Sequence, residues 1–356
     1  MKTPSKRRKH EPPPQLPPLT CVRVVCRERP SILGIAHVVA ALDAFLDWVV
    51  AAAVNGGHLD ILLWLFKNMR RTQWTFSADL RVAIDRGHLD VIEWMLCHKR
   101  TLVRPLDLLM GEAAHCGNLD VMRLLHQYQV KEHTATAVDR AASSGHLDAI
   151  NWLHANKLSG CTRSAMDSAS KNGFLVVVQW LHENRSEGCS RDAMDWAAGR
   201  GHMEVLQWLA ANRTEGCSSS AMDDAAGNGH LDIVKWLHIN RTEGCTADAM
   251  DQAAKNGHLE VVEWLHVNRT EGCTVNAMNL AAKGGHLEVV QWLHANRTEG
   301  CTRRALGGAM DEGNFDVVFF LHREREDCDV VHFLRDTPAK RWEVLNWIYC
   351  HYPPGL

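Results

Sequence analysis

The tripeptide Gly-Cys-Thr/Ser returns along the chain with its cysteine at Cys161, Cys189, Cys217, Cys245, Cys273 and Cys301, a constant step of 28 residues. The copies are collinear: Glu215 to His238 aligns with Glu243 to His266 by substitution alone, with no residue gained or lost. A self-similar period of about 20 to 50 residues marks a stack of small supersecondary units, none of which buries its apolar face alone. A glycine in step with each unit stands at Gly57, Gly87, Gly117, Gly145, Gly173, Gly201, Gly229, Gly257, Gly285 and Gly313, so the array fills most of the chain. At the far end Cys328 and Trp347 keep the Cys-to-Trp interval of the inner copies, with Lys340 in the glycine's place. That pattern suits a degraded last unit capping the stack.

An array grows its core linearly, so the 356 residues read as one elongated domain rather than two or three globules. Four regions are expected: a basic, proline-rich, disordered arm at 1–20, a cap with a degenerate unit at 21–54, the array at 55–322, and a degenerate capping repeat at 323–356. The formal net charge of -3 gives no general pull toward nucleic acid or anionic lipid. No apolar run approaches the roughly 18 to 20 residues that span a bilayer, and Met1 to Pro18 has no apolar signal core. The expected location is the cytoplasm, or the nucleus if Lys6 to Lys9 acts as a basic import signal. Ladder cysteines lie one repeat apart, and packed helices about 8–10 Å apart exceed the roughly 7 Å Cα limit of a disulfide, so these thiols are expected reduced and in the core.

Asp248 to His266 serves as the type unit. Ala249 to Asn256 reads as a short helix with Asp248 as N-cap and Gly257 as its left-handed stop. The cap position runs Ser164, Asp192, Ser220, Asp248, Asn276, and Asp167, Asp195, Asp223 and Asp251 follow at N3, where negative charge suits the helix dipole. In the second helix Leu259, Val261, Val262, Trp264 and Leu265 share a broad apolar face while Glu260 and Glu263 point away. Ala249, Met250, Ala253 and Ala254 form the packing side of the first. The expected fold is all-α, a helical solenoid of about ten helix-turn-helix repeats with degenerate caps.

Ala253-Ala-Lys-Asn-Gly-His-Leu-Glu-Val-Val-Glu-Trp-Leu265 resembles the middle of an ankyrin repeat, and the match returns in about ten units from Gly57 to Gly313. The resemblance implies a curved stack whose inner helices and inter-repeat loops form a binding face without chemistry of its own. Two departures stand out. Asp248-Ala-Met-Asp251 replaces the family's Thr-Pro-Leu-His, losing the proline and the bridging histidine. The period is about five residues shorter than the usual 33 or so, and the deficit falls in Asn268 to Cys273, so the projecting hairpin is expected to shrink to a tight turn.

Several ladders invite functional readings. The tryptophans Trp64, Trp94, Trp152, Trp180, Trp208, Trp236, Trp264 and Trp292 occupy a leucine position of the second helix and read as packing. Histidines recur at His202, His230, His258 and His286 in the interhelical turn, and at His182, His238, His266 and His294 near the end of helix two. Ladder mates a repeat apart cannot share a zinc ion, whose ligands lie within about 2.3 Å, so turn hydrogen bonds and helix-terminal roles are expected and no metal or cofactor. Asn184, Asn212, Asn240, Asn268 and Asn296 satisfy the N-glycosylation pattern but read as helix-ending residues. The loop Arg and Glu are expected to pair between repeats. No phosphate-binding glycine loop, activated nucleophile or carboxylate pair off the repeat grid appears, so no enzyme is expected.

Recognition is sought where the copies diverge. One position of helix one reads Ser168, Trp196, Asp224, Gln252 and Leu280, and nearby stand Lys171, Arg200, Lys255 and Lys283. Arg163 and Arg191 add positive charge at the helix start. The outer position of helix two is uniformly polar: Gln179, Gln207, Lys235, Glu263, Gln291. Trp196 with Arg191 and Arg200 forms the expected hot spot. The expected function is a non-enzymatic scaffold for an unidentified protein partner, and the oligomeric state stays open. The alternatives are a substrate-recruiting adaptor for an enzyme complex, and nucleic-acid association through the basic arm, disfavoured by the excess of acidic residues.

Overall fold

The computed structural model describes residues 36–68, 77–97, 109–128, 134–158 and 160–324. The expectations for the arm, for residues 21–35 of the cap, and for Cys328, Lys340 and Trp347 lie outside the described residues. Among those residues are twenty α-helices and no strand.

The chain divides into two units, Met1–Val103 and Arg104–Leu356. In the first, α1 (Ala36–Gly56) pairs with α2 (Leu59–Asn68) and packs on α3 (Ser77–Arg86), which pairs with α4 (Leu89–Cys97). Val54, Leu65, Leu80, Ile84 and Ile92 are fully buried there. His88 Nε2 lies 3.0 Å from the Asn55 carbonyl, tying the two hairpins at their turns.

In the second unit the first helices of the pairs are α5 (Leu109–His115), α7 (Thr134–Ser143), α9 (Arg163–Lys171), α11 (Asp192–Gly199), α13 (Ser220–Gly227), α15 (Ala247–Lys255), α17 (Val275–Gly284) and α19 (Arg303–Asp311). Their partners are α6 (Leu119–Gln127), α8 (Leu147–Ala155), α10 (Leu175–Asn184), α12 (Met203–Asn212), α14 (Leu231–Asn240), α16 (Leu259–Asn268), α18 (Leu287–Asn296) and α20 (Phe315–Glu324). Each helix packs on its own partner, and each first helix packs broadly on the first helices before and after it. The core is the expected set: Ala249, Met250, Ala253, Ala254, Val261, Val262 and Leu265 are buried, as are their counterparts in the other copies. Alanine pairs let neighbouring first helices approach closely, while the valine and leucine side chains fill the space between the two rows.

The helix starts differ from expectation. The cap is the hydroxyl of Gly-Cys-Thr/Ser: Thr246 Oγ1 accepts the Asp248 N–H at 3.1 Å, and Thr162, Ser190, Ser218, Thr274 and Thr302 act alike. Asp248 and its counterparts therefore sit inside the first turn. The aspartates assigned to the helix dipole have a second role. The Thr274 N–H donates to Asp251 Oδ1 at 2.8 Å and its hydroxyl to Oδ2 at 2.5 Å. Asp167 holds Ser190, Asp195 holds Ser218 and Asp223 holds Thr246 in the same way. One hydroxyl thus accepts from its own helix and donates to the preceding repeat, supplying the bridge that the absent histidine would have made.

At the interhelical turn Gly257 takes a φ of 79°, and a Cβ there would fall 2.5 Å from Nδ1 of His286 in the next pair. Glycine is required both for the left-handed backbone and for the approach of the following imidazole.

The shortened loop also departs from expectation. Arg269 pairs with Glu271 two residues on, inside one loop rather than between repeats, because the tight turn brings both side chains to one side. Glu271 also accepts the Thr270 N–H at 3.0 Å. The link between repeats is made by the guanidinium, whose Nη1 lies 3.4 Å from His238 Nδ1. Asn268 Nδ2 donates to the Trp264 carbonyl at 2.8 Å, the helix-ending role expected of these asparagines.

Candidate functional site

The divergent positions fall on α9, α11, α13, α15 and α17, whose mutual packing sets them in register. Trp196, Asp224 and Gln252 of the central row lean on the preceding first helix. Lys171 Nζ stands 4.9 Å from the Trp196 ring centroid, a cation–π contact. A Cβ on Gly199 would lie 2.8 Å from Asp224 Cβ, and one on Gly227 2.9 Å from Gln252 Cβ. Those two glycines leave room for the side chain of the next helix.

Arg163, Arg191, Arg200, Asp224, Lys255 and Lys283 are exposed, and Ser168, Lys171, Trp196, Gln252 and Leu280 are half-buried. The strip therefore brings Lys171 and Trp196 together directly, and sets Arg200, the residue that caps the end of α11, one turn beyond Trp196. Lys255 Nζ reaches Gln252 Oε1 at 3.4 Å, and Lys283 lies 4.0 Å from Glu312. Partial burial raises the pKa of the Asp224 carboxyl.

The same row continues where the sequence reading did not follow it. Arg140 Nη1 bonds Glu112 Oε2 at 2.7 Å, and Glu112 is only 7% exposed. Counting back from Ser168 in steps of 28 reaches Arg140 and then Glu112, so the register itself was the signal. A second overlooked feature is the pair Ile239 and Val267, each 78% exposed near the ends of α14 and α16.

The other ladders are structural. The tryptophans are half-buried, and the histidines near the end of helix two meet the next repeat's aromatic ring edge-on: His238 and Trp264 have centroids 5.2 Å apart, His266 and Trp292 5.1 Å, and His294 meets Phe320 at 5.5 Å. Burial pushes the thiols of Cys189, Cys217 and Cys245 up to about 11. Among the described residues no group of three or more His, Cys, Asp or Glu is placed to hold a metal ion, and no helix is long and apolar enough to cross a membrane.

Two antiparallel helices per copy, joined at a left-handed glycine and packed row on row, match a known module. The family model for ankyrin repeats in many copies matches residues 138–182, 194–238, 222–266 and 250–294. Residues 138–182 and 194–294 are ankyrin repeats. The comparison with curated proteins finds no match. Ankyrin repeats are in general protein–protein interaction modules, and ankyrin-repeat proteins are typically non-enzymatic. The last three matched windows overlap in steps of 28 residues and the first starts 56 residues earlier, twice that step, so the aspartate bridge belongs to a short variant of the ankyrin repeat.

Proposed function

We propose that this ankyrin-repeat chain is a non-enzymatic scaffold that holds a protein partner along the face formed by its first helices. The observation that carries the reading is the contrast between two rows of equivalent positions. On helix one the row passes through Ser168, Trp196, Asp224, Gln252 and Leu280, covering small, aromatic, acidic, amide and aliphatic chemistry. On helix two it holds only Gln, Lys or Glu. A solvated surface with no task is served by the second kind of row, and a surface that reads a partner by the first. The few residues that dominate known interfaces are enriched in Trp and Arg, which puts Trp196, Arg200 and Arg191 at the centre.

In this reading residues 1–20 are an arm, 21–54 an N-terminal cap, 55–322 the working array and 323–356 a capping repeat. The chain acts inside the cell, in the cytoplasm or, through Lys6 to Lys9, in the nucleus, where its ladder thiols stay reduced. The test is affinity capture with the immobilised full chain. A Trp196→Ala/Arg200→Ala variant should weaken the specifically retained protein by more than about 2 kcal/mol. Retention unchanged by that variant would remove the site assignment.

A further inference from the structure

The cations of the strip are unevenly placed. Arg163 and Lys171 lie on α9, and Arg191 and Arg200 cap the two ends of the adjacent α11. The acids of these helices are Asp167, Asp195 and Asp192. Asp167 and Asp195 are buried and bonded to Ser190 and Ser218, which leaves Asp192 as the one exposed carboxylate beside four cations. Among the described residues Arg163, Arg191 and Arg200 form no ion pair. On a chain of net charge -3 this is a local excess of unpaired positive charge.

The next helices differ. On α13 the only exposed charge is Asp224, and on α15 Lys255 is balanced by Asp248. The cationic window is therefore bounded by an acid at its α13 edge. Its centre is Trp196, fixed from one side by Lys171 at 4.9 Å, with Arg191 and Arg200 capping the two ends of its helix. Residues 191 and 200 are nine positions apart, about 13 Å along the helix axis and about half a turn around it. An extended chain covers that distance in about four residues. Guanidinium groups bind carboxylates through two parallel hydrogen bonds, and an arginine with no partner of its own is free to do so.

Resting on the scaffold reading above, we infer that the partner docks on α9 and α11 through a short acidic segment of its chain, whose carboxylates meet Arg163, Arg191 and Arg200 around Trp196. Asp224 sets the register by repelling that segment from α13. The required chemistry is a run of glutamate or aspartate in an extended stretch, not a folded apolar surface and not a nucleic acid.

The test uses the full chain and dye-labelled peptides of matched sequence in which glutamate is exchanged for glutamine, read by fluorescence anisotropy. The glutamate peptide should bind, and the glutamine peptide should bind at least about tenfold more weakly. The Arg163→Gln/Arg191→Gln/Arg200→Gln variant should lose at least about tenfold in affinity for the glutamate peptide, while Lys235→Gln on the outer face of α14 should match the parent chain. Circular dichroism and the thermal midpoint of each variant separate lost docking from lost folding. Equal binding of both peptides, no loss in the triple variant, or preferential binding of a single-stranded oligonucleotide of the same length would each overturn the inference. If the captured protein still depends on Trp196 and Arg200 while the peptides bind regardless of charge, the scaffold reading survives and the acidic segment does not. If capture ignores both residues, the scaffold site itself falls.

Discussion

At the scale of single residues, the bond that distinguishes these repeats runs from the cap hydroxyl to the aspartate 23 positions earlier. Asn279 is a natural variant of that aspartate: its Oδ1 accepts from the Thr302 N–H at 2.9 Å and from the hydroxyl at 3.3 Å. Asp251→Asn should therefore cost little. Asp251→Ala leaves a part-buried N–H and hydroxyl without their acceptor and should cost about 1–3 kcal/mol in denaturant unfolding. The loop acid titrates with a definite sign. The Arg241 guanidinium holds Glu243 down from 4.5 to about 2. Its contribution to stability is present above the unfolded value and is lost as pH falls through that interval. Glu243→Gln should accordingly be less stable than the parent chain at neutral pH, and the difference should close on acidification from 4.5 toward about 2, followed by denaturant melts at each pH.

At the scale of the helix pair, apolar positions, the glycine stop and the closed loop were all legible from periodicity, because each follows from residues within one copy. The aspartate bridge was not, since an aspartate at N3 satisfies a single helix and only the neighbouring copy reveals its second partner. The same holds for Arg269 and His238, which meet only through stacking. Comparing copies does expose one irregularity. Ala210 stands where His182 and His238 stand in the flanking pairs, so Arg241, at the interval that brings Arg213 to His182, bonds Glu243 without meeting an imidazole at that position. Where the histidine is present, His182 lies 5.2 Å from Trp208 and 3.2 Å from Arg213 Nη1. Ala210→His should restore both contacts, toward Trp236 and Arg241, and stabilise the chain by about 0.5–1.5 kcal/mol, seen as a higher thermal midpoint. A lower midpoint would mean that the space beside Trp236 is already filled.

At the scale of the whole molecule, stability in a stacked array is a sum of pair and nearest-neighbour terms, so the repeated residues are committed to holding copies together. What remains for recognition is what does not repeat. This is why the architecture was readable from the chain while the partner's chemistry had to wait for the placement of Lys171 over Trp196 and for the burial of Asp167 and Asp195. The rival face is the exposed pair Ile239 and Val267 on the second helices. Hydroxyl-radical footprinting of the chain, alone and with its captured partner, separates the two. The account predicts that Trp196 and its neighbours on α9 and α11 lose reactivity while Ile239 and Val267 keep theirs. Protection of Ile239 and Val267 with Trp196 unchanged would contradict it.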